Sequence, residues 1–153
     1  MTNFTIREIQ SSDLASVANL FDLYRQFYEQ QTDIDLSYTF LKERIERGES
    51  IILVAVDPSE MFLGFCQLYP SFCSVIAKPI YVLYDLFVLP DSRQQGVGKH
   101  LLNAAAELAG NAGIARMDLT TAKNNLVAQA LYESLGWKQD DIFYTYNLNI
   151  SKS

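Results

Sequence analysis

The pattern of hydrophobic and polar positions predicts strands and helices that alternate along the chain. Alternating or continuous apolar runs predict strands at residues 4–9, 51–56, 61–69, 80–89, 115–121 and 142–149, and a further strand opening at Trp137. Apolar residues spaced three and four apart predict helices at residues 14–28, 37–47, 98–110 and 125–136. This order is typical of an α+β domain with a mixed, twisted sheet. No repeat or low-complexity linker interrupts it, so we expect one domain over residues 1–153.

Small and polar residues mark the ends of these elements. The segment Ser11-Ser12-Asp13 supplies an N-cap for the first helix, and Gly48 ends the second helix. Gly64 lies inside a predicted strand, where a glycine indicates a bulge or a close neighbour.

A loop between the strand at residues 80–89 and the next helix has the composition of an anion site. Pro90 stops the strand, and Gly96 and Gly98 lead into the helix without a Cβ to block a ligand. A helix N-terminus presents unpaired backbone N–H groups and partial positive charge, which together bind phosphate. The loop does not fit the phosphate loop of nucleotide hydrolases, because His100 follows Lys99, nor the dinucleotide fingerprint, because the third glycine is absent. It reads R-x-x-G-x-G from Arg93 to Gly98.

A second motif lies about thirty residues downstream of this loop. It runs from Asn125 to Trp137 and reads N-x-x-A-x-x-L-Y-x-x-x-G-W. Seven residues make two helical turns, so Asn125 and Tyr132 share one helical face. The chemistry of Asn125 also predicts a helix N-cap, and Gly136 closes the helix.

Together the two motifs resemble those of the GCN5-related N-acetyltransferase (GNAT) superfamily, and the resemblance covers residues 7–148. Within that superfamily the chain resembles the polyamine- and histone-acetylating branch. The resemblance implies the GNAT fold, an N-acetyltransferase activity and acetyl-CoA as the acyl donor. It also implies that the strands at residues 81–88 and 115–121 splay apart to admit the pantothenyl arm. The cofactor-binding residues implied are the backbone of Leu86, Phe87 and Val88, the loop residues Arg93, Gln94, Gln95, Gly96, Val97, Gly98 and Lys99, and Asn125 and Tyr132.

Acetyl transfer to an amine needs an acid for the leaving thiolate and a base for the acceptor ammonium. The resemblance assigns the acid role to Tyr132, whose phenol, with a reference pKa of about 10, stays protonated at neutral pH. A structural tyrosine that packs near the cofactor sulfur is the alternative.

The base is predicted at Asp85, which either binds a cationic acceptor or orients a water molecule, unless it is merely solvated at a strand end. In the polyamine-acetylating branch the corresponding strand carries Glu-Asp, whereas this chain has Tyr84-Asp85. Strict alternation would place Tyr84 and Asp85 on opposite faces of the sheet unless a bulge intervenes. Phe27, Tyr28 and Tyr84 are further candidates for the acceptor site, with core packing as the alternative for Phe27 and Tyr28.

Composition excludes several other classes of function. The 153 residues carry a net charge of −6, which argues against a nucleic-acid surface and favours cationic partners. The longest apolar run, residues 51–56, is too short to span a membrane, and no secretory signal is visible, so we expect a cytoplasmic protein. Two cysteines and a single histidine, His100, argue against a disulfide scaffold, a zinc site and a histidine-dependent triad. We expect His100 to be exposed on the first turn of its helix.

The sequence therefore predicts acetyl transfer from acetyl-CoA to the primary amine of a small cationic acceptor, such as a polyamine, a diamine or an amino-acid-like amine. A protein lysine or N-terminal amine is an alternative acceptor. A sensor that binds acyl-CoA without turnover is the alternative outside the enzymes. A homodimer is a further prediction, with Phe143, Tyr144 and Tyr146 pairing across subunits.

Overall fold

The computed structural model describes residues 3–151, and the chain divides into two compact units, Met1–Thr120 and Thr121–Ser153. The elements of the first unit are β1 (Thr5–Glu8), α1 (Leu14–Phe27), α2 (Ile34–Glu46), β2 (Ile51–Val56), β3 (Phe62–Cys73), β4 (Lys78–Val88), α3 (Val97–Asn111) and β5 (Met117–Asp118). The second unit contains α4 (Leu126–Ser134). None of the helices in residues 3–151 has the length and apolar character that crossing a membrane requires.

The five strands form one mixed sheet, as the sequence pattern predicted, in the order β1-β2-β3-β4-β5. All neighbours are antiparallel except β4 and β5, which run parallel. The β4–β5 ladder contains only the pairs Tyr81–Met117 and Val82–Asp118. The predicted strand at residues 115–121 is thus much shorter than expected, and the rest of β4 has no partner in β5. This parting of the strands agrees with the splay that the resemblance implies.

Helices cover both faces of this sheet. α1 and α2 pack on one face over alternate residues of β2 (Ile52, Val54 and Val56) together with Phe65 of β3 and Phe87 of β4. α3 packs against β2, β3 and β4 and buries Val97, Leu101, Leu102, Ala105 and Ala109. The end of β4 and the start of α3 are therefore held by core packing on both sides of the sheet.

A bulge in β4 sets which side chains face α1. Gln67 pairs with Asp85, but the next residue, Leu68, pairs with Leu83, so Tyr84 is an extra residue in β4. Partners in a ladder point to the same face, so Asp85 joins Gln67 on one face while Leu83 joins Leu68 on the other. Without the bulge, Leu83 and Asp85 would share a face.

Two predicted boundaries differ because local hydrogen bonds decide them. α2 begins at Ile34, earlier than predicted, because the Asp33 side chain caps it by accepting from the Leu36 N–H at 3.0 Å. β3 runs past Pro70 to Cys73, since the long hairpin with β4 pairs Cys73 with Lys78.

In the second unit, the predicted ends of α4 are confirmed. The Asn125 side chain accepts from the Ala128 N–H at 3.2 Å and so caps the helix. Gly136, at φ +93°, ends it in a left-handed turn in which the Trp137 N–H donates to the Tyr132 carbonyl. The strands predicted at Trp137 and at residues 142–149 are wrong, because the described residues up to 151 contain no strand after α4. An alternating pattern predicts the extended backbone but not the neighbouring strand that a ladder requires.

Candidate active site

The loop before α3 has the backbone shape of an anion cradle. α3 begins at Val97, and its N-cap Gly96 has φ +83°, while Gln94 has φ +64°. The first-turn N–H groups of Val97, Gly98 and Lys99 have no acceptor within the helix, and the helix dipole adds positive potential there. Left-handed residues next to a helix start turn successive N–H groups toward a common concavity. The residues present therefore fit the pyrophosphate of a coenzyme.

The side chains around this cradle fix its shape. Arg93 donates from Nε to the Val88 carbonyl at 3.0 Å, and its guanidinium lies 5.8 Å from the centre of the Phe87 ring. His100 is half-buried: its Nδ1 lies 2.7 Å from the Gly96 carbonyl, and its ring packs edge-to-face on Phe4. The prediction that His100 is exposed was wrong, because its ring folds back onto the loop. Since a carbonyl can only accept, Nδ1 carries the proton and ties the cap to the first turn.

Asp85 lies at the centre of the second part of the site, on the face of the sheet that α1 covers. Its side chain is 4% exposed, and its Oδ2 accepts from Gln67 Nε2 at 2.6 Å. Burial raises the pKa of Asp85, and hydrogen bonds from Gln67 and the Tyr24 hydroxyl oppose that rise. None of the ion pairs among residues 3–151 involves Asp85. The interpretation of Asp85 as a solvated strand-end residue is therefore excluded.

The bulge brings Tyr84 next to this carboxyl group. The Tyr84 side chain is 65% exposed, and its ring lies 5.5 Å from that of Tyr69, which follows Gln67 by two residues on β3. Residues two apart on a strand share a face, so Tyr84 and Asp85 both face the α1 side. The Tyr24 hydroxyl donates to the Tyr84 carbonyl at 3.3 Å.

The end of α1 supplies the remaining aromatic side chains. Phe27 and Tyr28 are 57% and 46% exposed, so neither is a core residue. The Tyr28 ring lies 5.2 Å from that of Tyr24, and the Phe27 ring lies 5.1 Å from that of Tyr28. Exposed aromatic rings thus lead from the surface toward Tyr24, whose hydroxyl donates to the carbonyl of the residue before Asp85.

The second unit holds the other two motif residues, Asn125 and Tyr132. Asn125 has a confirmed structural role as the N-cap of α4, and its cofactor contact remains a prediction. The Tyr132 ring lies 6.1 Å from the Trp137 ring, across the turn that ends the helix. The acid role of Tyr132 also remains a prediction.

Sequence reasoning missed Tyr24 and Gln67. Tyr24 belongs to the apolar stripe of α1, and nothing in the pattern separates it from core residues. Gln67 did leave a signal, because it is the polar residue within an otherwise apolar stretch from Phe62 to Tyr69. A fully buried amide in such a strand needs a polar partner on the neighbouring strand, and Asp85 is that partner.

Comparisons with known proteins agree with this geometry. The model of the acetyltransferase (GNAT) family matches residues 17–137. An uncharacterized N-acetyltransferase of Bacillus subtilis, YhfO, is 46% identical over 95% of this chain and 97% of its own length. The crystal structure of a probable acetyltransferase is 39% identical and superposes with a TM-score of 0.91 over 97% of this chain and 99% of its own. At 20% identity, an aminoglycoside N-acetyltransferase solved in complex with CoA shares the fold, with a TM-score of 0.82 over 98% of this chain and 97% of its own. The chain therefore belongs to the GNAT family and is an acetyl-CoA-dependent N-acetyltransferase.

Proposed function

We propose that this enzyme acetylates the primary amine of a small cationic acceptor, such as a polyamine, a diamine or an amino-acid-like amine, by direct attack in a ternary complex. We further propose that residues 1–153 act as one catalytic domain in the cytoplasm, as a homodimer. The observation that carries the proposed acceptor class is the buried carboxyl group of Asp85, which forms no ion pair within residues 3–151.

A buried carboxylate is costly unless it is paired with a cation or protonated. An acceptor ammonium supplies both remedies, because it first pairs with the carboxylate and then gives up a proton to it. The exposed rings of Phe27, Tyr28 and Tyr84 add a surface that attracts cations through their π-faces. The net charge of −6 favours the approach of the same class of acceptor.

Each candidate residue then has a proposed role in the transfer. When bound, acetyl-CoA supplies the thioester carbonyl that the free amine attacks. The loop from Arg93 to Lys99 holds the pyrophosphate, and the backbone of residues 86–88 orients the pantothenyl arm. Asp85 receives the proton of the ammonium, and Tyr132 donates a proton to the departing thiolate.

The aminoglycoside N-acetyltransferase that shares this fold adds one further class of acceptor to test. Aminoglycosides carry several amines on a small polycation, so they belong with polyamines in that set. A protein lysine presents only one amine, and the acceptor-free sensor has no use for a base. Membership of the GNAT family is compatible with each of these acceptors, so turnover measurements are needed to distinguish between them.

The first experiment measures free-thiol release from acetyl-CoA against polyamines, diamines, amino acids, aminoglycosides and a lysine peptide. We expect stimulation by the small cationic amines and a loss of about 10²-fold or more in kcat for Tyr132→Phe, the range of general acid catalysis. Acetyl-CoA binding by Tyr132→Phe, measured by calorimetry, should stay close to that of the wild type.

The matched control is Tyr38→Phe, since Tyr38 lies on α2 and has no part in the proposed chemistry. It should keep the wild-type rate. Thiol release stimulated only by the lysine peptide would replace the proposed acceptor class with a protein substrate. Tight binding of acetyl-CoA without stimulation by any amine would favour the sensor.

A further inference from the structure

Asp85 poses a problem for the proposed transfer, because the base is almost inaccessible to a substrate. Its side chain is 4% exposed, and Gln67, which donates to it, is fully buried. A general base must lie within hydrogen-bond reach of the proton it removes, directly or through one intervening group. Some group at the surface must therefore connect the acceptor amine with Asp85.

The Tyr24 hydroxyl is placed to make that connection. Tyr24 is half-buried at the end of α1, and its ring is fixed by edge-to-face contacts with Phe65 and Phe87 at 6.0 and 6.3 Å. Phe87 lies two residues after Asp85 on the same face of β4, and the nearby Tyr24 hydroxyl helps to lower the pKa of the Asp85 carboxyl group against the effect of burial. The same hydroxyl reaches the Tyr84 carbonyl, in a hydrogen bond that lies in exposed surroundings. Rotation of the O–H about the Tyr24 C–O bond would turn its single hydrogen from that carbonyl to the neighbouring Asp85 carboxylate.

We propose that Tyr24 is a catalytic residue that relays the proton of the acceptor ammonium to Asp85, and that Gln67 is the residue that positions Asp85 for it. The inference rests on the proposed acetyl transfer to an amine. It adds two residues that neither family motif contains.

The relay conserves protons and charge. The ammonium donates one N–H proton to the Tyr24 oxygen, while the Tyr24 hydroxyl passes its own proton to a carboxylate oxygen of Asp85. An ammonium and a carboxylate become a neutral amine and a neutral carboxyl group, and Tyr24 ends as it began. A hydroxyl group can do this because it donates one hydrogen and accepts through its lone pairs at the same time. The reverse path returns the proton to solvent after the acetyl group has been transferred.

Gln67 can serve both protonation states of Asp85. An ionised carboxylate only accepts, so the Gln67 amide must present Nε2 to it, as observed at 2.6 Å. The other end of the amide, Oε1, is buried without a hydrogen-bond partner among the described residues. When Asp85 gains the proton, rotation of the amide would let Oε1 accept the new O–H. A buried oxygen without a hydrogen-bond partner costs free energy, and Gln67 Oε1 would gain its partner in the state in which Asp85 is protonated.

Titratable and polar groups surround Asp85 on the neighbouring elements. Tyr24 of α1, Gln67 and Tyr69 of β3, and Tyr84 of β4 lie on its face of the sheet. Tyr28 of α1 acts on Tyr24 and Arg44 of α2 acts on Tyr69, while Cys66 of β3 pairs with Leu86 on the opposite face. Burial and the Asp85 charge raise the pKa of Tyr24 and of Tyr69, so both phenols stay protonated. Burial raises the pKa of the Cys66 thiol to about 12.

The test compares Tyr24→Phe with the wild type, using acceptors of different basicity. The substitution removes the hydroxyl but keeps the ring that packs against Phe65 and Phe87. With an alkylamine at pH 7 we expect kcat/KM to fall by about 10²-fold. With trifluoroethylamine, which is already neutral at that pH and needs no base, the variant should match the wild type. The affinity for acetyl-CoA should not change.

The pH profile gives a readout that a purely structural role would not move. In Tyr24→Phe only the free amine reacts, so kcat/KM should rise about tenfold per pH unit up to the pKa of the alkylamine, and the wild type should reach a plateau earlier. The matched control is Tyr69→Phe, because Tyr69 is half-buried on the same face and senses Asp85 only through its charge. It should keep both the rate and the profile of the wild type.

Two results would overturn the relay while leaving the proposed function intact. One is an active Tyr24→Phe variant with the wild-type pH profile. The other is an equal loss with alkylamine and trifluoroethylamine, which would make Tyr24 a binding residue. A wild-type enzyme that transfers acetyl groups to no amine would instead refute the proposed function itself, and the relay with it.

Discussion

Replacing Asp22 should destabilise the first unit, because its carboxylate joins the end of α1 to the segment that leads into α2. The side chain is 1% exposed and accepts four hydrogen bonds. The donors are Thr32 Oγ1 at 2.6 Å, the Asp33 N–H at 2.8 Å, Ser37 Oγ at 2.9 Å and Gln26 Nε2 at 2.9 Å. Asp22→Ala removes all four acceptor positions, whereas Asp22→Asn keeps one oxygen.

The size of the stability loss depends on whether each donor can find another hydrogen-bond partner once the Asp22 carboxylate is gone. A hydrogen bond to a charged group contributes about 1.5–3 kcal/mol, and an orphaned buried donor costs about 1–3 kcal/mol. Thr32, Asp33 and Gln26 are exposed and can turn to water, but Ser37 is fully buried. We therefore expect a loss of about 2–4 kcal/mol for Asp22→Ala and about 1–2 kcal/mol for Asp22→Asn. For a chain of this size the larger loss lowers Tm by about 10 °C.

The pH dependence identifies the carboxylate as the cause. Burial alone would raise the pKa of Asp22, but the hydrogen bonds that it accepts lower it below its ordinary value. The folded state thus binds the proton less readily than the unfolded state. The stabilisation is present above the unfolded pKa of about 4 and is lost as the pH falls through the folded pKa. The difference between wild type and Asp22→Asn should therefore shrink in acid.

The assay is urea unfolding followed by circular dichroism between pH 2.5 and pH 7. Asp57→Asn is the control, since Asp57 also accepts hydrogen bonds from a turn but is only half-buried and its donors are exposed, so its effect should be much smaller. The network also holds the chain that follows Phe27 and Tyr28, so Asp22→Asn should raise KM for the amine more than KM for acetyl-CoA. Equal stability of Asp22→Asn and the wild type at pH 7 would refute the reasoning.

Two further substitutions test the β3–β4 region. A Cβ at Gly64 would lie 2.7 Å from the Phe87 carbonyl and 3.3 Å from Val88 Cα, so Gly64→Ala should cost about 1–3 kcal/mol in urea unfolding and weaken acetyl-CoA binding in calorimetry. Gly110→Ala, on α3 with no atom near its new Cβ, is the control and should be neutral or stabilising; a loss there as large as at Gly64 would contradict the steric account. Because burial raises the pKa of Asp85, the wild type loses stability as the pH rises from the unfolded pKa through the folded pKa. Asp85→Asn should therefore be more stable than the wild type at pH 7 and equally stable in acid. If Asp85→Asn is instead less stable at pH 7, the negative charge of Asp85 must be stabilised by other groups in the folded protein.

Local patterns predicted those parts of the fold that local interactions decide. The strand at Ile51–Val56 matches its apolar run residue for residue, because both of its faces are buried. The cap at Asn125 and the turn at Gly136 follow from side-chain and backbone chemistry within one helix. The prediction that Gly64 has a close neighbour also holds, since the Phe87 carbonyl faces it across the ladder.

Long-range pairing decides the parts that the sequence pattern did not predict. The alternating stretch at residues 115–121 has the pattern of a strand, yet only Met117 and Asp118 pair with β4. The alternation at residues 142–149 likewise indicates an extended chain, and the described residues give it no ladder. The extra residue at Tyr84 is equally invisible in the pattern, because a bulge depends on the register with β3.

That one extra residue brings Tyr84 to the same face of the sheet as Asp85, which strict alternation along β4 would not allow. Regular alternation from Phe87 already places Asp85 on the α1 face beside Gln67, and the bulge moves Leu83 to the opposite face. Under α1, burial raises the pKa of the Asp85 carboxyl group, and Gln67 Nε2 donates to it at 2.6 Å. The buried polar pair Gln67–Asp85 lies inside two apolar strands and lowers the stability of the fold. Such a pair has no advantage for folding alone, which points to a functional role. The proposed function explains why the Gln67–Asp85 pair lies next to the exposed tyrosines. The buried charge of Asp85 destabilises the free enzyme, and a bound cationic acceptor would remove that cost by pairing with it.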